Sequence, residues 1–354
     1  MADKRLNVAV FFGGFSSEYS VSLESAYSVI CNLNPQKYRP LPVGITRDGK
    51  WFYFDGDLQK IPADEWQNDA DCTPAFLSPE RGSKTLYLMK KDGVKALPVD
   101  VAFPVMHGKF GEDGTIQGLI ELSGIPLVGC GVLSSALCMD KDRAHKLAEY
   151  AGITVPKSMA LKLGYDKLAL EKFAKETGYP LFVKPIKSGS SYGVTKVSEP
   201  KELLPAVEFA FEFDNEVLVE EGIAGFEVSC AVMGNDELLV GEVAEIEIMG
   251  DLFDFNEKYT HASTVVHVPA RLSPTLTEQV KETAKILYKA LACKGFARVD
   301  LFITPDERIV FNEINTIPGF TEHSLYPGMM KAIGLSFPKV VERLVEYAVL
   351  STDH

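Results

Sequence analysis

At 354 residues the chain is too long for one typical hydrophobic core, so two or three domains are expected. Hydrophobic residues make up 46% and charged residues 24%, the balance of an ordinary soluble globular protein. A net charge of −13 argues against nucleic acid as the main partner, because a phosphate backbone needs a basic surface.

The opening MADKRLNVAVFFGG holds an apolar run too short for a signal peptide or a membrane span, so a cytoplasmic protein with no membrane partner is expected. Residues 6–12 have a buried-strand pattern, GGFSSEYS forms a turn, and VSLESAYSVICNL carries helical spacing. Strand, glycine turn and helix open an α/β fold with an open parallel sheet. Strand patterns follow at 39–45, 51–54 and 99–106, then a helix at 114–123 and a short strand at 127–128. The first domain is placed at 1–128, the second at 129–222 and the third at 223–354.

One helix is expected across 134–151. The run 180–185 reads as a strand entering KSGSSYG, followed by a strand at 194–197 and a helix at 201–213. Strands are expected at 217–221, 227–233 and 237–248. Residues 251–263 are polar, aromatic and aperiodic, as in a lid loop. A helix at 275–292 leads into two strands around Thr304-Pro305-Asp306-Glu307, and a helix at 337–350 closes the chain. Cys31, Cys72, Cys130, Cys138, Cys230 and Cys293 form no Cys-x-x-Cys pair and read as thiols of a reducing compartment, most of them buried.

The segment ARVDLFITPDERIVFNEINTIPGFT is the most informative. A loop at 304–307 would set Ile303 opposite Arg308 and make cross-strand partners sum to an odd number. Arg298, Asp300, Glu313 and Asn315 then share one face, with Val299, Leu301, Ile303, Val310 and Ile314 on the other. Two carboxylates, an amide and a guanidinium on one sheet face are costly unless a cation and an anion complete them. Hard oxygen donors of this kind suit Mg²⁺ beside substrate phosphates. The competing reading is a surface Arg–Glu pair, and a loop one residue shorter or longer would separate the four groups.

Lys184 ends a strand before a loop of small residues, Ser188 to Ser191, whose N–H and OH donors suit phosphates; a solvated turn is the alternative. Lys141 offers a second cation or is a solvated helix residue. The strand through Glu220 and Glu221 could present backbone groups to a base, with Glu227 near a ribose. Glu18, at a strand-to-helix turn, could hold an ammonium or serve the helix dipole. His107, in a glycine-rich turn, could bind substrate, buttress Glu18 or stabilise its own loop.

Together FFGGFSSEYSVS, HGKFGEDGTIQG, SSALCMDKDRAHK, FVKPIKSGSSYG, FDFNEKY, ARVDLF and FNEINTIPGFTEHSLYP resemble the D-alanine–D-alanine ligases of the ATP-grasp superfamily, over essentially the whole length. The wording is also close to the D-Ala–D-Ser ligases of vancomycin resistance. The resemblance implies a three-domain ATP-grasp fold, ATP, two Mg²⁺ ions (or Mn²⁺ in their place), D-alanine as substrate and a homodimer. Its implied residues are Lys141, Lys184, Ser191, Glu220, Glu221, Ile223 and Glu227 for nucleotide, and Asp300, Glu313 and Asn315 for metal. Arg298 and Gly319 match the groups that stabilise a tetrahedral intermediate; Glu18, with Ser190 and Tyr259, matches the first D-alanine's site and its lid. His107, Lys258, Ser324 and Leu325 complete the substrate contacts.

Relatives that add D-serine tend to carry Arg in a segment HSRYP, and some carry Asp where Ala244 stands. Leu325 and Ala244 therefore favour D-alanine at the second position, since neither can donate to a serine hydroxyl. Tyr259 argues against D-lactate, although His261 is a residue type that such lids use. A non-catalytic nucleotide-binding protein is the reading from another class; intact metal and oxyanion groups weigh against it.

Overall fold

The computed structural model describes residues 4–68, 70–189, 192–248 and 264–351. Ser190, Ser191, Lys258, Tyr259, His261 and the expected lid at 251–263 lie outside the described residues.

The chain opens with β1 (Leu6–Gly13), α1 (Tyr19–Asn32), β2 (Tyr38–Ile45), β3 (Trp51–Phe54), β4 (Cys72–Leu77), β5 (Thr85–Lys90), β6 (Gly93–Pro98), β7 (Val101–Pro104) and α2 (Thr115–Ser123). These strands form one sheet in the order β6-β5-β4-β3-β2-β1-β7. β1 lies next to the edge, between β2 and β7 and parallel to both. Both its faces are covered: Val8, Val10 and Phe12 enter one core, Ala9 and Phe11 another. The sheet is parallel only there; β2 through β6 run as an antiparallel meander. Between β2 and β3 a tight turn at Gly49 (φ 81°) returns the chain antiparallel, whereas a parallel partner needs a crossover.

Next come α3 (Val132–Met139), α4 (Lys141–Tyr150), β8 (Ser158–Lys162), α5 (Lys167–Thr177), β9 (Leu181–Pro185), β10 (Thr195–Val197), α6 (Pro200–Ala210) and β11 (Glu216–Glu221). The four strands form an antiparallel sheet, β10-β9-β11-β8. The single helix expected at 134–151 is two. The backbone leaves helical geometry at Asp140 (φ −91°, ψ 97°), whose carboxylate accepts the Arg143 N–H and starts α4 afresh.

The remainder comprises β12 (Phe226–Gly234), β13 (Leu238–Ile248), β14 (Thr264–His267), α7 (Pro274–Ala290), β15 (Phe296–Ile303), β16 (Ile309–Asn315), α8 (Leu325–Ala332) and α9 (Phe337–Leu350). Its antiparallel sheet runs β14-β13-β12-β15-β16. On one side, Val280, Ala284 and Leu287 of α7 pack with Val299 and Leu301. Val340 and Leu344 of α9 share a core with Leu23 and Val29 of α1, so the chain's end closes onto its beginning. Among the described residues no helix is long and apolar enough to cross a membrane. Cys130, Cys138, Cys230 and Cys293 are buried thiols, as expected, while Cys31 is exposed.

Candidate active site

The turn between β15 and β16 is one residue longer than expected. Thr304 and Arg308 close it with a backbone hydrogen bond of 3.0 Å, and Ile303 faces Ile309. That register, carried inward, would pair Asp300 with Asn312 and throw Glu313 and Asn315 onto the core face. A β-bulge prevents this: Leu301 pairs with Phe311, but Asp300 pairs with Glu313, leaving Asn312 as the extra residue. Beyond the bulge Arg298 faces Asn315, so the four polar residues share one face after all. Nearer the turn the expectation fails. Val310 pairs with Phe302 on the polar face, and Phe311 enters the core instead.

On that face Asp300 is almost wholly buried and accepts hydrogen bonds from four donor atoms. Ser229 Oγ donates at 2.6 Å, Asn315 Nδ2 at 2.8 Å, and Arg298 donates from Nε at 2.8 Å and from Nη2 at 2.7 Å. Burial alone would lower the Arg298 pKa; the charge of Asp300 outweighs it and the net shift is upward. Ala244, Ser229, Asp300 and Glu313 lie in one cross-strand row.

Cations arrive from α4 and β9. Lys141 opens α4, its Nζ 2.7 Å from the Ser188 carbonyl oxygen and 3.6 Å from Glu313 Oε2. Lys184 Nζ lies 2.5 Å from Glu220 Oε1, both side chains buried. Glu220 Oε2 is buried with no hydrogen-bond partner among the described residues. Glu221 accepts the Lys157 N–H at 3.3 Å at the sheet edge, and Ile223 follows half-buried.

The opposite wall comes from the first sheet. Glu18 caps α1 and is buried. A side chain at Gly108 (φ +71°) would come within 2.5 Å of Glu18 Oε2, and one at Gly189 within 2.9 Å, so both loops close on this carboxylate because they are glycine there. His107 Nδ1 donates to the Ile317 carbonyl at 2.9 Å, which leaves Nε2 to accept from Ser25 Oγ at 3.3 Å. Burial pushes the His107 pKa down against the pull of Glu18, so the ring is neutral.

Between the walls lies a cleft of about 330 Å³, which Glu18, Glu227, Arg298, Gly319, Ser324 and Leu325 help to line. Ser324 Oγ accepts the Thr321 N–H at 3.0 Å, fixing the turn behind Gly319.

Glu112, Ser25 and Ser229 are site residues that sequence reasoning did not assign. Glu112 Oε2 accepts the Gly108 N–H at 2.7 Å and Oε1 the Ile317 N–H at 3.4 Å. Burial, then the charge of Glu18, push its pKa up to about 8. In HGKFGEDG it looks like a surface acid of a glycine turn; in the fold it is half-buried between that turn and Ile317. Ser25 did carry a signal, lying seven residues after Glu18 and so on the same face of α1. Ser229 carried none beyond strand alternation.

A family model described as D-ala D-ala ligase N-terminus matches residues 7–130, and one described as D-ala D-ala ligase C-terminus matches 147–346. The vancomycin B-type resistance protein VanB of Enterococcus faecalis is 45% identical over 350 residues, covering 98% of this chain and 99% of that one. A D-alanine–D-alanine ligase of Caldicellulosiruptor bescii is 42% identical, covering 98% and 95% respectively. Among solved structures, the VanG D-Ala:D-Ser ligase of Enterococcus faecalis superposes with a TM-score of 0.91 at 51% identity, covering 98% of this chain and 100% of that one. Matched along both halves in sequence and throughout in fold, the chain belongs to the D-alanine–D-alanine ligase family of ATP-grasp enzymes.

Proposed function

We propose that this enzyme joins two D-alanine molecules into D-alanyl-D-alanine for peptidoglycan precursor synthesis, at the expense of ATP. The observation that carries the reading is the single polar face of β15 and β16, which carries Arg298, Asp300, Glu313 and Asn315 and lines, through Arg298 and Asn315, a cleft whose far wall holds Glu18.

A carboxylate does not acylate an amine unaided, because its leaving group would be oxide. Phosphoryl transfer from ATP to the first D-alanine's carboxylate gives an acyl phosphate. The second D-alanine's amine attacks its carbonyl carbon, and inorganic phosphate leaves. Glu18 takes the first D-alanine's ammonium, with neutral His107 holding the Ile317 carbonyl in place behind it. Arg298 spends only part of its five N–H donors on Asp300 and offers the rest to the oxyanion, together with the Gly319 N–H. Losing one such donor costs about 2.7–4 kcal/mol of barrier. Lys141 and Lys184 hold the nucleotide phosphates.

The donor set fits Mg²⁺. Asn315 turns Nδ2 toward Asp300, leaving its amide oxygen for a cation. Hard oxygen donors of this kind suit a metal completed by substrate phosphates. Mg²⁺ bound to Asp300, Glu313 and Asn315 would supply charge neutralisation at the transferring phosphoryl group. The orphaned Glu220 Oε2 fits a nucleotide too, since a hydroxyl or amine of the ligand would satisfy it. Ser190, Lys258 and Tyr259 are proposed to close the cleft against water, which would otherwise hydrolyse the acyl phosphate.

Glu313 is less buried than Asp300, and Lys141 Nζ lies 3.6 Å from its Oε2, so Glu313→Ala should fold normally and lose turnover entirely. Phosphate release with ATP, Mg²⁺ and D-alanine measures this; retained turnover would remove the metal assignment.

A second reading, D-alanine–D-serine ligation, is favoured by the 51% identity to a structure titled as a D-Ala:D-Ser ligase. Against it, Leu325 lines the cleft and Ala244 sits buried in the row with Ser229 and Asp300, and neither offers a hydroxyl a partner. Competition among D-alanine, D-serine and D-lactate, with products separated by mass, is expected to yield chiefly D-alanyl-D-alanine. Comparable D-serine incorporation at neutral pH would overturn the preference.

A further inference from the structure

The bulge that creates the polar face needs something to hold it, because an unpaired strand residue leaves its backbone groups without ladder partners. Both flanking groups are taken by α4 and the segment that follows it. Phe311 N–H donates to the Thr154 carbonyl at 2.9 Å, and the Asn312 carbonyl oxygen lies 2.9 Å from His145 Nε2. A carbonyl only accepts, so Nε2 carries the proton and donates. His145 is 2% exposed, and its ring meets Phe311 edge-on at 5.6 Å between centroids. Burial holds its pKa below the usual range, which favours the neutral ring. Its Nδ1 has no hydrogen-bond partner among the described residues, so the imidazole is buried at some cost for one bond.

His145 and Lys141 are four residues apart on α4, hence on one helix face. Lys141 reaches the Glu313 carboxylate from there, and His145 reaches the carbonyl of the residue before it.

We infer that His145 is a positioning residue for the metal site: its Nε2–H locks the Asn312 bulge, and the bulge turns Glu313 and Asn315 onto the face of Asp300 and Arg298. Without the lock, the strand can slip into the register set at its turn, in which Asp300 faces Asn312 and the ligands point away. The inference rests on reading Asp300, Glu313 and Asn315 as metal ligands.

The test is Mn²⁺ binding to the intact protein saturated with a non-hydrolysable ATP analogue, followed as the enhanced water-proton relaxation that protein-bound Mn²⁺ gives and the Mn²⁺–nucleotide complex alone does not, with four variants. His145→Leu removes the donor, and His145→Asn places its amide one methylene short. His145→Gln puts an N–H where Nε2 was, and Glu313→Ala removes a ligand. We expect His145→Leu and His145→Asn to bind Mn²⁺ about tenfold more weakly or worse, as losses behind a metal ligand usually do. His145→Gln should return to near the wild-type affinity. If the Leu variant does not fold, the contrast between Gln and Asn decides alone. Equal affinities for those two, or an unaltered Leu variant, would overturn the lock while leaving the ligands standing, provided Glu313→Ala loses Mn²⁺. Wild type and Glu313→Ala binding alike would instead overturn the metal reading itself.

Discussion

Asp300→Ala is expected to lower the unfolding free energy by about 3–5 kcal/mol and to abolish ligation, a double effect that Glu313→Ala should not share. The reason is burial. Asp300 is 1% and Arg298 8% exposed, so the substitution strands a guanidinium largely withdrawn from water. Ser229 Oγ and Asn315 Nδ2 lose their acceptor in the same stroke. Urea denaturation gives the stability change, and a loss below about 1 kcal/mol would mean the pair behaves as a surface ion pair. Replacing both partners together with apolar residues should cost much less stability than removing Asp300 alone, because it is the unpaired charge that is penalised.

The second large effect concerns pH. Glu112, with a folded pKa near 8 against an ordinary 4.5, binds its proton more tightly in the native protein than in the unfolded chain. Its contribution to stability is therefore fully present below about pH 4.5 and is lost as pH rises through about 8. Glu112 is only half-buried and lines the cleft, which tempers the effect to the order of 2–4 kcal/mol. Glu112→Gln keeps an oxygen for the Gly108 N–H and removes the titration. The variant should gain stability relative to wild type as pH climbs from about 5 to 9, as shown by denaturation at each pH. Parallel profiles over that range would mean the carboxyl titrates normally. A substrate ammonium entering beside Glu18 and Glu112 favours their ionised forms, so D-alanine should bind more tightly to wild type as Glu112 ionises, and this trend should flatten in the variant.

Local chemistry made much of this legible in the sequence. β1 announced itself by an unbroken apolar run, Lys184 by its place at a strand's end before small residues, and Glu18 by its turn. The Asp140 break was readable as well, since an Asp before a helical run is a start signal, yet the longer periodicity hid it. What escaped depends on contacts distant in sequence. The hairpin's register follows from a turn one residue longer than expected and from the hydrogen bonds of His145 and Thr154. Alternation alone placed the four polar residues together, but through a pairing the turn does not use. Glu112 is acidic in a glycine-rich loop, and only Ile317, about two hundred residues later, ties it into the site. The antiparallel strands β4 to β6 went unassigned because their exposed faces interrupt the apolar pattern.

Ile317 gives its carbonyl to His107 and its N–H to Glu112, while Phe320 N–H goes to Ser25. The stretch carrying Gly319 is thus tailored to side chains from the far end of the gene rather than to its own sheet. Chimaeras that exchange the C-terminal half among relatives should keep activity only when the residues corresponding to Ser25, His107 and Glu112 travel with it, which makes these separated pieces one unit of inheritance.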